Sequence, residues 1–324
     1  MTPASLPPVP SGLQERRLLG PDWEGWLDRL PRLAANLLDE WELTVDGGPM
    51  HGWCSLVLPV LTARGREAVL KVSFDGDDES LHEPQALTLW NKDGHGDGAV
   101  RLLRADPRRR ALVLERLRIR DLTAVPVDAA GEVLALLYRR LHRPAGPPFP
   151  ALQQVAGAWL DDLVALGDDV ALPRSLRSQA LALGRDLLAD PPGSPVLLHG
   201  DLHWENVLAV YDEADGSVPD RWRAIDPKPV VGDPHLEPAP LIWNRWRELQ
   251  AHRRGPRTAI RERLEFVTDA TGLDHDRLRD WFLVRVVLNV GWTVMDSRRA
   301  SRPLTDLEQD GVTWSVTMAK AVQD

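Results

Sequence analysis

The stretch Leu197-Leu198-His199-Gly200-Asp201-Leu202-His203-Trp204-Glu205-Asn206-Val207-Leu208, followed by Ala224-Ile225-Asp226-Pro227-Lys228, ends two apolar runs in carboxylates and sets an asparagine five positions after the first. Runs this short read as strands, and an Asp just past a strand end lies in a loop. Either Asp alone would read as a turn cap. The full order, with Asp226 twenty residues beyond Asn206, has a defined use in phosphoryl transfer. One Asp accepts the proton of the attacking hydroxyl, while an Asn and a second Asp hold Mg²⁺ on the nucleotide phosphates. Asp201 is therefore the candidate base, and Asn206 and Asp226 are the candidate metal ligands. His199 and His203 are expected to orient the loop through hydrogen bonds.

The same residue types allow a rival reading. His199, Asp201, His203 and Asp226 could ligate a transition metal in a hydrolase, but that leaves Asn206 and a strand-rich first part of the chain without a purpose.

Upstream, Ala68-Val69-Leu70-Lys71-Val72 is an apolar strand carrying one cation. A strand lysine is ordinarily a solvated surface residue. Here only four of the 39 basic residues are lysines (Lys71, Lys92, Lys228 and Lys320), so a lysine kept inside a strand points to a role arginine cannot fill. Glu83 follows on a candidate helix, and a strand lysine paired with a helix glutamate contacts the α- and β-phosphates in kinases. Glu79 is the competing partner. Pro84 is tolerated within a first helical turn. The Gly-rich hairpin over Gly47–Gly52 is expected to cover phosphate with backbone amides between Gly52 and Ser55, although no Walker loop occurs in the chain. Ala111-Leu112-Val113-Leu114-Glu115-Arg116-Leu117 is a buried strand by pattern, with Glu115 and Leu117 placed to offer main-chain groups to adenine.

Helical spacing predicts a helix over residues 22–41, interrupted or restarted at Pro31. Strands are expected over 41–45, 54–62, 68–74, 100–103 and 111–117, and a helix over 79–91. Beyond residue 128 the pattern is helical over 129–141, 152–166, 175–189, 238–252, 258–271, 276–296 and 304–322, with short strands at 196–199 and 222–225. This is an α+β chain. It divides into a flexible tail (1–20), a small antiparallel, β-rich, nucleotide-binding lobe (21–120) and a larger helical lobe with the catalytic loop and acceptor site (121–324).

Composition bounds the partners. The net charge of −9 argues against nucleic acid, which needs a basic surface, and is compatible with a cationic small-molecule acceptor. No run of 18 or more apolar residues and no charged-then-apolar leader occurs, so no membrane span or secretory signal is expected. The single Cys54 excludes an internal disulfide and fits the cytoplasm. Monomer and dimer both remain open.

These residues together resemble the aminoglycoside phosphotransferase superfamily, through His199-Gly200-Asp201-Leu202-His203-x-x-Asn206 and Asp226. Three longer strings resemble its streptomycin 6-kinase and hydroxyurea kinase branch: Ala111–Leu117, Ile225-Asp226-Pro227-Lys228-Pro229-Val230-Val231-Gly232-Asp233-Pro234, and Ala239-Pro240-Leu241-Ile242-Trp243-Asn244-Arg245. The resemblance implies a bilobal protein-kinase-like fold and an ATP- and Mg²⁺-dependent O-phosphotransferase conferring antibiotic resistance. It also implies Asp201 as base, Asn206 and Asp226 on the metal, and Lys71 on the phosphates, held by Glu83. The chain departs from the branch after Gly232-Asp233-Pro234. There His235-Leu236-Glu237 stands where an Asp followed by Leu-Ala is expected, so either Glu237 takes over that Asp's work or the acceptor side has changed. Asp161, Asp162 and Glu237 are candidates for binding a cationic acceptor, and Trp243 for lining its pocket. Two alternatives remain: a metabolic kinase of an amino sugar or other small alcohol, and a nucleotide-binding pseudokinase, against which the intact Lys71, Asp201, Asn206 and Asp226 argue.

Overall fold

The structure, a computed structural model, describes residues 7–92, 98–167, 172–193, 195–210 and 221–323. The chain begins with α1 (Ser11–Gln14) and α2 (Pro21–Glu40), then β1 (Thr44–Val45), β2 (Met50–His51), β3 (Ser55–Leu61), β4 (Glu67–Ser73), α3 (Glu83–Trp90), β5 (Leu102–Asp106) and β6 (Ala111–Glu115). The helical part follows: α4 (Val127–Leu141), β7 (Arg143–Pro144), α5 (Leu152–Ala165), α6 (Arg174–Ala189), β8 (Val196–Leu198), β9 (Val207–Ala209), β10 (Trp222–Ala224) and β11 (Val230–Gly232). It closes with α7 (Ala239–Trp243), α8 (Trp246–Gln250), α9 (Pro256–Thr271), α10 (His275–Arg299) and α11 (Asp306–Ala321). Of the stretch read as a flexible tail, residues 1–6 lie outside the described residues, and Ser11–Leu19 is helical with Leu13 packed in the core.

The first sheet is antiparallel, in the order β1-β3-β4-β6-β5, with β2 on the edge of β3. Two-residue periodicity explains its two faces. Leu56, Leu58 and Val60 of β3, with Leu70 and Val72 of β4, turn to α2 and bury against Trp26, Leu27, Leu30 and Leu37. Val57, Pro59, Val69 and Lys71 therefore turn the other way, into a cleft. Lys71 sits on the central strand opposite Val57 and Leu112, where the backbone is held on both sides.

Three expectations need correction. Pro31 does not interrupt α2, which runs unbroken through it. The proline ring lies on the solvent face, and the apolar stripe of Trp26, Leu27, Leu30 and Leu37 on the opposite face holds the helix together. The helix expected over 238–252 is two short ones, α7 and α8, broken at Arg245, whose φ is 57°. The Arg245 guanidinium donates to the Val125 carbonyl at 2.7 Å, a long-range bond that local propensity does not anticipate. The helix expected from residue 79 begins at Glu83, with Pro84 in its first turn.

The helical part is organised around α10, buried along most of its length through Leu278, Trp281, Phe282, Val284, Val287, Leu288 and Val294, as expected of a helix surrounded by others. Against it pack α5, α6, α9 and α11. Among the described residues no helix is long and apolar enough to cross a membrane. Short antiparallel pairs, β7-β8-β11 and β9-β10, carry the loops that hold Asp201 and Asp226.

Candidate active site

Lys71 is the junction of the two halves. Its Nζ donates to both Glu83 oxygens at 2.8 and 2.7 Å and to Asp226 Oδ1 at 2.5 Å. Glu83, not Glu79, is its helix partner, because α3 begins at Glu83 and presents it to β4. Glu79 instead lies 3.4 Å from Lys228. Burial opposes the charge on Lys71, but Asp226 and then Glu83 outweigh it and hold the ammonium's pKa well above its ordinary value. Asp226 is likewise penalised by burial, yet Lys71 brings its pKa below the usual carboxylate range. Asp226 adopts φ 58°, a left-handed conformation that Asp tolerates better than most residues.

The loop after β8 is built around Gly200, at φ 80°; a Cβ there would lie 2.0 Å from the Lys228 carbonyl oxygen. The approach is close because the Lys228 amide donates to the His199 carbonyl at 2.8 Å, tying the loop of Asp201 to that of Asp226. Asn206 Nδ2 donates to the Asp201 carbonyl at 2.9 Å, leaving its Oδ1 as the atom available to a hard cation. Lys228 Nζ stands 3.2 Å from Asp201 Oδ2. His199 is fully buried, stacked on Trp90 at 6.0 Å, with the Asp201 amide 3.4 Å from its Nδ1; burial lowers its pKa. His203 Nδ1 accepts from the Glu205 amide at 3.3 Å. Both imidazoles thus bond to backbone amides of the loop that carries Asp201.

Glu237 is not an acceptor residue. It is 2% exposed; its Oε1 accepts from the Gly200 amide at 2.7 Å and its Oε2 pairs with His142 Nε2 at 2.5 Å. It braces the loop of Asp201 from behind. Replacing it with Ala strands a buried amide, and the expected cost is about 1–3 kcal/mol in chemical denaturation. Burial raises the Glu237 pKa, but the bond and charge of His142 bring it below its ordinary value. A depressed carboxylate stabilises the fold above its unfolded pKa, and that contribution is lost as pH falls through the folded pKa. Glu237→Gln keeps an acceptor oxygen and removes the titration, so its stability should fall less steeply on acidification than the parent's.

Two clefts meet at these residues. One, of about 700 Å³, lies under the first sheet and is lined by Gly52, Ser55, Val69, Lys71, Glu115, Leu117, Asn206 and Asp226. Within it the Gly52 amide is bonded to the Ser55 carbonyl at 3.0 Å. This corrects its expected use toward phosphate: that amide closes the turn. The Ser55 hydroxyl lies 3.0 Å from where a Gly52 Cβ would stand, so glycine is what leaves it room. The Glu115 amide and carboxylate are engaged with Arg101 at 2.9 and 2.8 Å, and the carboxylate also pairs with Arg223 at 2.9 Å.

The second cleft, of about 880 Å³, opens from Asp201 into the helical part, and Trp243 lines it. Asp161 and Asp162 do not: they are exposed on the solvent face of α5, because the other face, with Leu160 and Leu163, is what packs. Sequence reasoning missed three members. Lys228 stands out as one of four lysines, but nothing local gives it a contact. Trp292 reads as core. Arg285 stands alone in the apolar run Phe282-Leu283-Val284-Arg285-Val286-Val287-Leu288, and that isolation is the signal that could have found it. Its guanidinium carbon lies 5.4, 5.8 and 5.7 Å from the rings of Trp159, Trp243 and Trp292, contacts worth roughly 0.5–2 kcal/mol each. Among the described residues no group of three or more His, Cys, Asp and Glu could hold a metal ion.

Comparison with known proteins places the chain in a family and a fold. The family model for aminoglycoside/hydroxyurea antibiotic resistance kinases matches residues 40–297. Streptomycin 6-kinase of Streptomyces glaucescens is 36% identical over 322 residues, covering 98% of this chain and 96% of the relative. Hydroxyurea phosphotransferase of Kitasatospora aureofaciens is 37% identical over 302 residues, covering 90% and 82%. Among solved structures, choline kinase LicA from Streptococcus pneumoniae superposes with a TM-score of 0.61 at 14% identity, covering 91% of this chain and 99% of that one. That likeness speaks to the fold, which is the bilobal protein-kinase-like one.

Proposed function

The chain belongs to the aminoglycoside/hydroxyurea antibiotic resistance kinase family, and from that premise we propose that it moves the γ-phosphoryl group of ATP to a hydroxyl of streptomycin, a related aminoglycoside or hydroxyurea. It is a small-molecule phosphotransferase; the acceptor, the nucleotide and the residue roles are our reading. The observation that carries it is the convergence at Lys71. A strand lysine, a helix glutamate and a loop aspartate 155 positions away meet at the cleft under the first sheet, and the Lys228-to-His199 bond ties the loop of that aspartate to the loop of Asp201.

In this reading residues 21–120 bind the nucleotide and residues 121–324 supply the catalytic loop and the acceptor site. Adenine meets the Glu115 carbonyl and the Leu117 main chain, since the Glu115 amide is already bonded. Lys71, held by Glu83, contacts the phosphates, and the Ser55 hydroxyl faces them. Asp226 and Asn206 Oδ1 offer the hard oxygen donors that Mg²⁺ prefers, and the ion would offset charge on the phosphates. The acceptor hydroxyl enters from the second cleft. As its oxygen bonds to the γ-phosphorus and the bond to the bridging oxygen of ADP breaks, its proton passes to Asp201. Lys228, beside Asp201, adds positive charge where the transferring group passes. Positioning and charge stabilisation supply most of the acceleration. The reaction is assigned to the cytoplasm, where ATP is abundant.

The test is ATP consumption over a panel of streptomycin, other aminoglycosides, hydroxyurea and amino sugars, alongside a thermal-shift titration with Mg-ATP. The expected result is stabilisation by Mg-ATP and acceptor-dependent ADP release with streptomycin or hydroxyurea. No stabilisation by Mg-ATP would sink the kinase reading, and turnover of amino sugars alone would reassign the acceptor.

A further inference from the structure

The acceptor cleft holds a cation for which the reaction described above has no use. Arg285 is 7% exposed, lies on the cleft wall and makes no hydrogen bond or ion pair among the described residues; its Nε is buried without a partner. A guanidinium carries five N–H donors, and a buried charge ordinarily has its donors satisfied. The three tryptophans around it supply faces and no acceptor atoms. Asp201, Glu79 and Glu237 act on its charge through space against the effect of burial, yet none is bonded to it. Glu79 lies with Lys228 and Glu237 with Gly200 and His142. The acidic groups left at this cleft, such as Glu79 and Glu205, are exposed.

We propose that Arg285 is the acceptor-recognising residue of this cleft, donating to a carbonyl, hydroxyl or carboxylate oxygen at the end of the acceptor that lies among Trp159, Trp243 and Trp292. The proposal rests on the acceptor site assigned above and deepens it. The wall of the cleft selects an oxygen-bearing, non-cationic end of the acceptor, held between tryptophan faces. Any cationic groups of the acceptor are left to the exposed carboxylates nearer the opening. Specificity follows because an acceptor placing an ammonium or guanidinium against Arg285 meets like charge, and one lacking the oxygen leaves the donors unmet.

The experiment compares the parent protein with Arg285→Met and Arg285→Lys, using whichever of streptomycin and hydroxyurea the parent turns over. Losing a charged hydrogen bond to the acceptor should raise acceptor KM roughly ten- to a hundredfold, with kcat held within about threefold. ATP KM and the Mg-ATP thermal shift should be unchanged. Arg285→Lys keeps the charge without the planar fork and should recover part of the KM; it also carries the test if Arg285→Met does not fold. An acceptor KM equal to the parent's in a folded methionine variant, or in the lysine variant where the methionine variant does not fold, would mean that Arg285 only fills space between the tryptophans and would overturn the proposal. A parent that is stabilised by Mg-ATP but transfers to neither acceptor would overturn the acceptor assignment and this inference with it.

Discussion

Asp201→Ala is expected to lower the rate of phosphoryl transfer by roughly 10²–10⁴ while nucleotide affinity stays close to that of the parent. The asymmetry follows from position. Lys71, Glu83 and Asp226 form a closed ion cluster that does not include Asp201, and Asp201 does not line the cleft under the first sheet. Its loop is held by groups that survive truncation: the Gly200 amide on Glu237, and Asn206 on the residue's own carbonyl. What disappears is the carboxylate beside the second cleft and the nearer of two ion-pair partners of Lys228, the other being Glu79. Asp201→Asn keeps the shape and removes only the proton acceptor, so it should lose nearly as much. Transfer rate and ATP affinity, measured on the same preparations, check this. Loss of both in equal measure would mean that Asp201 holds phosphate or metal and is not the base.

The second large effect is expected at Gly200. An alanine there needs a left-handed conformation and places its Cβ 2.0 Å from a backbone oxygen, that of Lys228. The obstacle is main chain, so no rotamer change relieves it. Either the loop of Asp201 or that of Asp226 must move, and the Lys228-to-His199 bond at 2.8 Å resists their separation. Strain at positive φ and the loss of buried bonds together predict a destabilisation of about 3 kcal/mol or more. A catalytic loss accompanies it, because the shifted loop carries the proposed base. Gly272, also at positive φ but with no atom within 4 Å of where a Cβ would stand, is the control. Alanine there should cost about 1 kcal/mol and leave kcat unchanged. Denaturant midpoints and kcat for the two variants decide the point; equal effects would show that conformational strain alone, and not the collision, governs Gly200.

Much of the site is legible in the chain because its chemistry is local. Asp201 and Asn206 are linked by a five-residue spacing set by one loop, and Lys71 by strand alternation that puts it on the face opposite to Leu70 and Val72. Glu83 is marked by a helix whose start Pro84 signals. The fold class follows from the switch between two-residue and helical periodicity, and the α+β arrangement of a small sheet with a larger helical part is the one observed. Where the reading failed, the deciding contact lay far away in sequence. Glu237 reads as an acceptor residue because its place in the motif is local and its direction is not; only the packing of α4 brings His142 behind it. Asp161 and Asp162 are acidic and on a helix near the cleft, yet the apolar face of α5 turns them outward. Pro31 breaks no helix because its ring lies on the solvent face, while burial of the apolar stripe opposite holds α2 together.

Sequence alone thus determined the class of reaction and nominated candidates for accepting the proton, binding the metal and meeting the phosphates, since each is marked by residue type at short range. Tertiary structure decided what surrounds that reaction. It set Lys228 against Asp201, made Glu237 a brace, and drew Arg285 of α10 among tryptophans from α5, α7 and α10 on the wall of the second cleft. Those placements depend on how whole helices pack, and helix packing is fixed by summed burial over many residues, which no short stretch of the chain contains.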